Sequence, residues 1–289
     1  MQIISFEQNG TARLGLVRED SIVDPFAGDI TAPRDMIELI ANWDRYRARC
    51  EAASDKPPTV ALDNVKILPP IARPGKILAL GLNYADHVEE AGLEMPKVQT
   101  WFCKQPTSVN PPFAPIELPA ASSALDHECE LVFVIGKRCR NVPRERAQEA
   151  IFGYCVGNDV SVRDWQLQTP QWMLGKSFDT HAPFGPWITT ADDIDPHTLD
   201  IRCLVNGEVR QSSNTRHFIF DCFEQIAHLS KAMTLEPGDI VFTGTCAGIG
   251  ATRTPPVYLK TGDRVRVEIE ALGAIEGIVV PGSGDMVIT

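Results

Sequence analysis

Apolar and polar positions first alternate with a period of two. IISFE, an Asn9-Gly10 pair and ARLGLVRE read as two strands joined by a tight turn, because Asn-Gly favours the turns whose twist matches paired strands. SIVDP adds a third short strand. The period then changes. Met36, Ile37, Ile40, Trp43 and Tyr46 recur at helical spacing, with Thr31 or Asp35 available as the cap. The stretch SDKPPT (54–59) ends that helix, VKIL forms another short strand, and Pro69-Pro70 closes the segment. A boundary near residue 70 is therefore expected, with 1–69 as a small α+β amino-terminal domain and 70–289 as a larger one.

Beyond residue 70 the apolar runs are short and strand-like: ILALGLN, ELVFVIG, IFGYCVGND, IRCLVNG, DIVFTG and RVRVEIE. Helical spacing shows only near 84–91, 143–151 and 218–232. Asn206-Gly207 in LVNGEV is a second hairpin signal. Strands without regular β-α-β alternation predict an irregular, mainly β domain with some α rather than a doubly wound sheet. No G-x-G-x-x-G or P-loop spacing follows a strand.

Composition narrows the partners. The 289 residues are 44% hydrophobic and 22% charged, with a formal net charge of -11. That excess of acid argues against a nucleic-acid groove, which needs clustered Lys and Arg. No apolar run approaches the roughly 20 residues that span a bilayer. MQIISFEQNG has neither a basic start nor an apolar core of the secretory kind, so a cytoplasmic protein is expected. The eight cysteines are scattered and form no C-x-x-C pair. They read as buried, reduced thiols, and no Cys/His group has zinc-ligand spacing.

The chemistry concentrates in five segments. In DHECELVFVIGK (126–137), Glu128 and Glu130 are two apart on a strand and share a face with Val132 and Val134. Adjacent carboxylates on an apolar face call for a cation, although the spacing alone also fits a solvated strand start. In IFGYCVGNDVSVRDWQ (151–166) a strand ends at Asp159, followed by Arg163 and Gln166. Three carboxylate ligands without Cys or His select a hard ion, Mg²⁺ or Mn²⁺. In GLNYADHVEEAG (81–92), Asn83 is positioned to cap a short helix on which His87 and Glu90 are i, i+3 neighbours. A carboxylate beside a histidine fixes its tautomer and raises its basicity, although the pair also fits a surface histidine with a solvated glutamate. In MLGKSFDTHAPFGPW (173–187), Lys176 sits among small and apolar residues, suited to holding a carboxylate or an oxyanion, although a surface ion pair also fits. DIVFTGTCAGIGA (239–251) runs a strand into a Gly-rich turn carrying Thr245. Such turns offer backbone N–H groups to a carboxylate, and are also often only turns.

Taken together and in this order, GLNYADHVEE, HECELVFVIGK, GNDVSVRDWQ, GKSFDTHAPFGP, LVNGEVRQ and LEPGDIVFTGT resemble the fumarylacetoacetate hydrolase superfamily over most of 70–280. The resemblance implies a β-roll-like carboxy-terminal domain and a homodimer. It implies Mg²⁺ or Mn²⁺ on Glu128, Glu130 and Asp159, and a catalytic His87–Glu90 dyad with Lys176. It places Arg163, Gln166 and Thr245 against the substrate. One departure is Cys246, which stands where the family often has Pro after TGT. The implied reaction is hydrolysis of a C–C bond in a 2,4-dioxo acid through a metal-stabilised enolate. A decarboxylase, isomerase or lyase on the same site, or a binding module with a degenerate site, are the alternatives. Residues 84–108 are expected to form a lid over the site.

Overall fold

The computed structural model describes residues 1–288. The amino-terminal segment contains β1 (Gln2–Gln8), β2 (Thr11–Arg18), β3 (Ser21–Val23), α1 (Met36–Ala41), α2 (Trp43–Ala53), β4 (Val60–Ala61) and β5 (Lys66–Ile67). The hairpin at Asn9-Gly10 forms as expected, with Asn9 at φ 52° and Gly10 at φ 75°. Asp35 is the cap, its carboxylate accepting the Glu38 N–H. The single helix expected around Met36–Tyr46 is two, divided at Asn42, whose φ of -119° interrupts the helical ladder.

There follow β6 (Ile77–Gly81), α3 (Ala85–Glu90), β7 (Thr100–Lys104), β8 (Val109–Asn110), β9 (Ile116–Leu118), β10 (Leu125–Asp126), β11 (Cys129–Ile135), β12 (Ile151–Asn158), β13 (Ser161–Val162) and α4 (Arg163–Gln166). The chain ends in β14 (Ala182–Thr190), β15 (Asp200–Val205), β16 (Glu208–Asn214), α5 (Cys222–Ala232), β17 (Ile240–Thr245), β18 (Arg264–Ile269) and β19 (Gly273–Pro281). Strands dominate, as the apolar runs predicted. β14 was not among the runs singled out, because Pro183, Gly185 and Pro186 interrupt it.

One sheet runs β4-β3-β2-β1-β14-β12-β11-β17-β6-β7, and a five-stranded sheet runs β16-β15-β18-β19-β9. The amino-terminal strands therefore continue the sheet of the larger segment, with Ile3 paired to Ile188. β11 lies at the centre and is buried on both faces, hence its unbroken apolar sequence. Val132 and Val134 pack with Met36, Leu39, Ile40 and Phe242. Cys129, Leu131, Phe133 and Ile135 pack the other way, against Cys203, Val267 and Leu229 of the five-stranded sheet and α5. The sheet thus separates two apolar layers, and Trp43 of α2 meets Phe152 of β12 edge-on at 5.1 Å.

Close packing at the sheet centre makes a sharp stability prediction. A Cβ added at Gly157 would lie 2.5 Å from Val132 Cγ2 and 2.7 Å from Phe242 Cε1, both fully buried. Gly157→Ala should destabilise the chain by about 1–3 kcal/mol through overpacking. Thermal unfolding checks this, and an unchanged midpoint would show that the centre has slack.

Candidate active site

The carboxylates are brought together by strand pairing. Antiparallel pairing sets Glu130 opposite Gly157 and Cys129 opposite Asn158, so Asp159 emerges beside Glu128. Two bonds fix this junction: Asp159 N–H donates to the Glu128 carbonyl at 2.9 Å, and Glu128 N–H donates to Asn158 Oδ1 at 3.0 Å. Glu128, Glu130 and Asp159 each place a carboxylate oxygen within 4.8 Å of the others, and all three are buried. The sequence-derived trio is therefore one cluster.

Buried cations surround it. Lys176 Nζ donates to Glu128 Oε2 and Asp159 Oδ2, both at 2.8 Å, and lies 4.9 Å above the Phe102 ring. Arg163 donates to Glu128 at 2.6 Å, to Asp126 at 2.9 Å and to Gln166 Oε1 at 2.8 Å. Its remaining nitrogen, Nη2, is buried without a partner. Burial alone would raise the Glu128 carboxyl, but Lys176 and Arg163 overcome it and hold that group well below the usual range. Burial also works against charge on Lys176, and Asp159 and Glu128 reverse this, holding its ammonium above the ordinary value.

Two members of the cluster were not found by reading the sequence. Lys104 is fully buried and donates to Asp159 Oδ1 at 2.6 Å and to the Val160 carbonyl at 3.2 Å. In TWFCKQP it reads as an ordinary lysine at a strand end; only the face it shares with Phe102 pointed inward. Asp126 accepts from the Gly250 and Ala251 N–H groups at 2.8 and 2.9 Å and from Arg163. It anchors the Gly-rich turn to the cluster. Asp126, Glu128, Glu130 and Asp159 face Arg163, Lys176 and Lys104. Glu130 is the carboxylate without a cationic partner: its Oε2 accepts the Gly244 N–H at 2.7 Å. Burial pushes its carboxyl well above the usual range, and the charges of Asp159 and Glu128 add to this.

Thr245 stands opposite Glu130. Its hydroxyl donates to the Cys129 carbonyl at 3.0 Å and accepts from Gln211 Nε2 at 2.7 Å. Its one proton is thus directed into the sheet, leaving the oxygen as an acceptor. Gln211 is itself satisfied on both ends, since Oε1 accepts the Cys129 N–H and Nε2 also reaches the Cys246 carbonyl. It lies in LVNGEVRQ, where local pattern assigns it no role.

His87 and Glu90 sit on α3. His87 Nδ1 is 3.5 Å from Glu90 Oε2 and has no hydrogen-bond partner. Glu90 accepts the Gly248 N–H at 3.0 and 3.1 Å, which ties the helix to the Gly-rich turn. Burial would raise the Glu90 carboxyl, but His87 and the Gly248 N–H together lower it. Asn83 is not the expected cap; Tyr84 occupies that position without a side-chain bond. The Asn83 amide instead bridges the Thr243 carbonyl at 2.6 Å and the Phe220 backbone, joining α3 to β17 and α5. Within the span expected to form a lid, residues 100–104 pair with β6 as β7, and between α3 and β7 Leu93, Met95 and Val98 are exposed.

A central sheet packed against a five-stranded one, with acidic residues at the end of two paired strands and buried lysines beside them, defines a carboxylate-centred site. The Fumarylacetoacetate (FAA) hydrolase C-terminal family model matches residues 76–280, and the chain belongs to that family. A mitochondrial oxaloacetate tautomerase of Xenopus laevis is 42% identical over 97% of this chain and 90% of its own length. A human mitochondrial oxaloacetate tautomerase is 40% identical over 90% and 84%. Among solved structures, maleylpyruvate hydrolase from Sphingobium sp. SYK-6, in complex with manganese(II) ion and pyruvate, has a TM-score of 0.83. It is 36% identical, covering 98% of this chain and 100% of that one. A 5-carboxymethyl-2-hydroxymuconate delta-isomerase from Mycobacterium smegmatis has a TM-score of 0.77 at 33% identity, with the same coverage. Among the described residues no helix is long and apolar enough to cross a membrane.

Two substitutions probe the cluster and its surroundings. Lys104→Met leaves Asp159 short of a cation and should cost about 3–5 kcal/mol, as breaking a buried pair does. Denaturant unfolding should also show that Mn²⁺ restores part of the loss. Equal stability with and without Lys104 would mean that the ammonium balances nothing. His181 is buried, with Nε2 2.7 Å from the Glu117 carbonyl and Nδ1 without a partner. Burial depresses its pKa from 6.5 to about 3, the Glu117 carbonyl opposing and Lys104 adding to the shift. Between those values the unfolded chain binds a proton that the folded chain refuses. Its contribution is complete above pH 6.5 and is lost as the pH falls towards 3. By about pH 5 the loss is about 2 kcal/mol. His181→Gln should flatten the stability profile over this window; an unaltered profile would assign the acid sensitivity elsewhere.

Proposed function

We propose that this chain holds a divalent cation on Glu128, Glu130 and Asp159 and interconverts the enol and keto forms of a 2-oxo dicarboxylic acid such as oxaloacetate. The carrying observation is the buried trio within 4.8 Å, in which Glu130 lacks a cationic partner. Hard oxygen donors and an unbalanced negative charge fit Mg²⁺ or Mn²⁺. When bound, such an ion supplies Lewis acidity to the oxo oxygen of a chelated 2-oxo acid.

The residues around it divide the remaining work. Lys176 and the free Nη2 of Arg163 put positive charge and N–H donors beside the carboxylates, suited to an anionic substrate. Gln166 accepts from Arg163 through Oε1, so its amide nitrogen is available as a donor. His87 accepts or returns the proton at carbon 3, and Glu90 orients the imidazole and stabilises its charged form. Full-length similarity to oxaloacetate tautomerases supports proton transfer as the whole reaction.

C–C hydrolysis of a 2,4-dioxo acid is the second reading. It is favoured by the His87–Glu90 pair, which would equally activate water, and by the likeness to a maleylpyruvate hydrolase. Small organic acids are the expected partners under either reading, and a homodimer remains part of the proposal.

The assay follows the ultraviolet absorbance of enol-oxaloacetate and, separately, of acetylpyruvate, with saturating Mn²⁺ or with EDTA. We expect accelerated ketonisation that EDTA and Glu130→Gln abolish. His87→Ala should slow it by about 10²–10⁴-fold, the usual worth of general acid–base catalysis. Acetylpyruvate cleavage with ketonisation at the solution rate would install the hydrolase reading in its place. Full turnover in EDTA would remove the metal from both.

A further inference from the structure

β11 alternates its side chains across the sheet. Glu128 and Glu130 face the acidic cluster, and Cys129, between them, faces the opposite apolar layer. β17 does the same next to it: Glu130 is paired with Thr245, so one further step along the register sets Cys129 opposite Cys246. The two sulfur atoms are 3.8 Å apart and both residues are fully buried. The backbone N–H of Cys129 bonds to the Gln211 side chain rather than to β17. Its carbonyl accepts the Thr245 hydroxyl, so the Cys129 backbone faces β17 through side chains rather than ladder bonds. Facing residues of antiparallel neighbours have Cα atoms about 4.5–5.5 Å apart, and a disulfide bridges about 4.4–6.8 Å.

The geometry points to Cys129 and Cys246 as a dithiol that closes to a disulfide and thereby switches the acidic site. Hydrogen peroxide is the oxidant class. One thiol, giving up its proton as its sulfur attacks an oxygen of the peroxide, yields a sulfenic acid and water; the second thiol displaces water from it and the S–S bond forms. The two sulfurs together lose two electrons, which reduce the O–O bond, and a dithiol reductant reverses the change. Closing the sulfur gap from 3.8 Å to about 2.05 Å turns both side chains and fixes β11 against β17 at this position. Glu130 takes its hydrogen bond from Gly244 and Thr245 takes its acceptor from Cys129, so the bridge acts on the bonds that aim Glu130. The switch rests on the metal reading of Glu130; the bridge itself does not.

The test treats the full-length chain with peroxide, alkylates remaining thiols after denaturation, and maps peptides by mass spectrometry, with Mn²⁺ affinity read by electron paramagnetic resonance. We expect a Cys129–Cys246 peptide pair lighter by two hydrogens and roughly 10–100-fold weaker Mn²⁺ binding, the scale of a disturbed ligand support. Dithiothreitol should restore it. Cys246→Ser, and Cys129→Val should the first fold poorly, should keep Mn²⁺ affinity under peroxide. Cys103 and Cys139 are the partly exposed thiols and act as an internal control for access. Their oxidation with Cys129 and Cys246 still alkylated, or bridging of either to Cys203, overturns the bridge. A bridge with unaltered Mn²⁺ affinity overturns the switch. Reduced protein that binds no Mn²⁺ refutes the metal reading and the switch together, while the mass map still decides the bridge.

Discussion

Negative charge buried at the end of a sheet is the constraint around which this molecule is arranged. Four carboxylates are held out of water beside apolar strands, a placement that is costly unless each is answered. Arg163 answers Asp126 and Glu128, Lys176 answers Glu128 and Asp159, and Lys104 answers Asp159 again. The arrangement leaves Glu130 with a backbone N–H alone. A fully neutralised cluster would have little use for a metal, and a wholly unanswered one would be hard to fold. This chain lies between the two, with the imbalance localised on one residue at the centre of the sheet.

The same charges organise the loops. Asp126 collects the N–H groups of the turn at 250–251, Glu90 collects that of Gly248, and the Asn83 amide ties the entry to α3 back to β17. Segments distant in sequence are thus gathered at one end of the sheet by side chains that reach backbone groups no ladder uses. Gln211 extends this from the five-stranded sheet, contacting β11 and β17. The helix that carries His87 is therefore positioned from several sides although it is only six residues long.

Much of this was legible beforehand. Glu128 and Glu130 were placed on one face by period-two alternation, and Asp159 by its position where an apolar run stops. The hairpin at Asn9-Gly10 and the runs that became β6, β11, β12, β15, β17 and β18 followed from local pattern. What escaped notice depends on distant contacts. Lys104 is a ligand of Asp159 only because β7 lies at the edge of a sheet whose strand order is not the chain order. Asn83 has the composition of a cap, but a buried amide with three backbone partners outweighs one capping bond. β14 was obscured because Gly and Pro usually punctuate strands, whereas here β12 pairs at Gly185 and β8 at Pro183. Cys129 and Cys246 are 117 positions apart, and nothing local announces that they meet.

The pairing of Ile3 with Ile188 has an architectural consequence. β14 is the neighbour of β12, which ends at Asn158 beside Asp159; β8 covers β14 at that end, and the first strand of the chain covers it at the other, 188–189. A fragment beginning at residue 70 would leave the β14 backbone at 188–190 with unfulfilled donors and acceptors, the kind of open border at which chains stick to one another. The opening residues thus serve as a selvedge: they finish the cloth, and keep the weave behind it from catching on its neighbours.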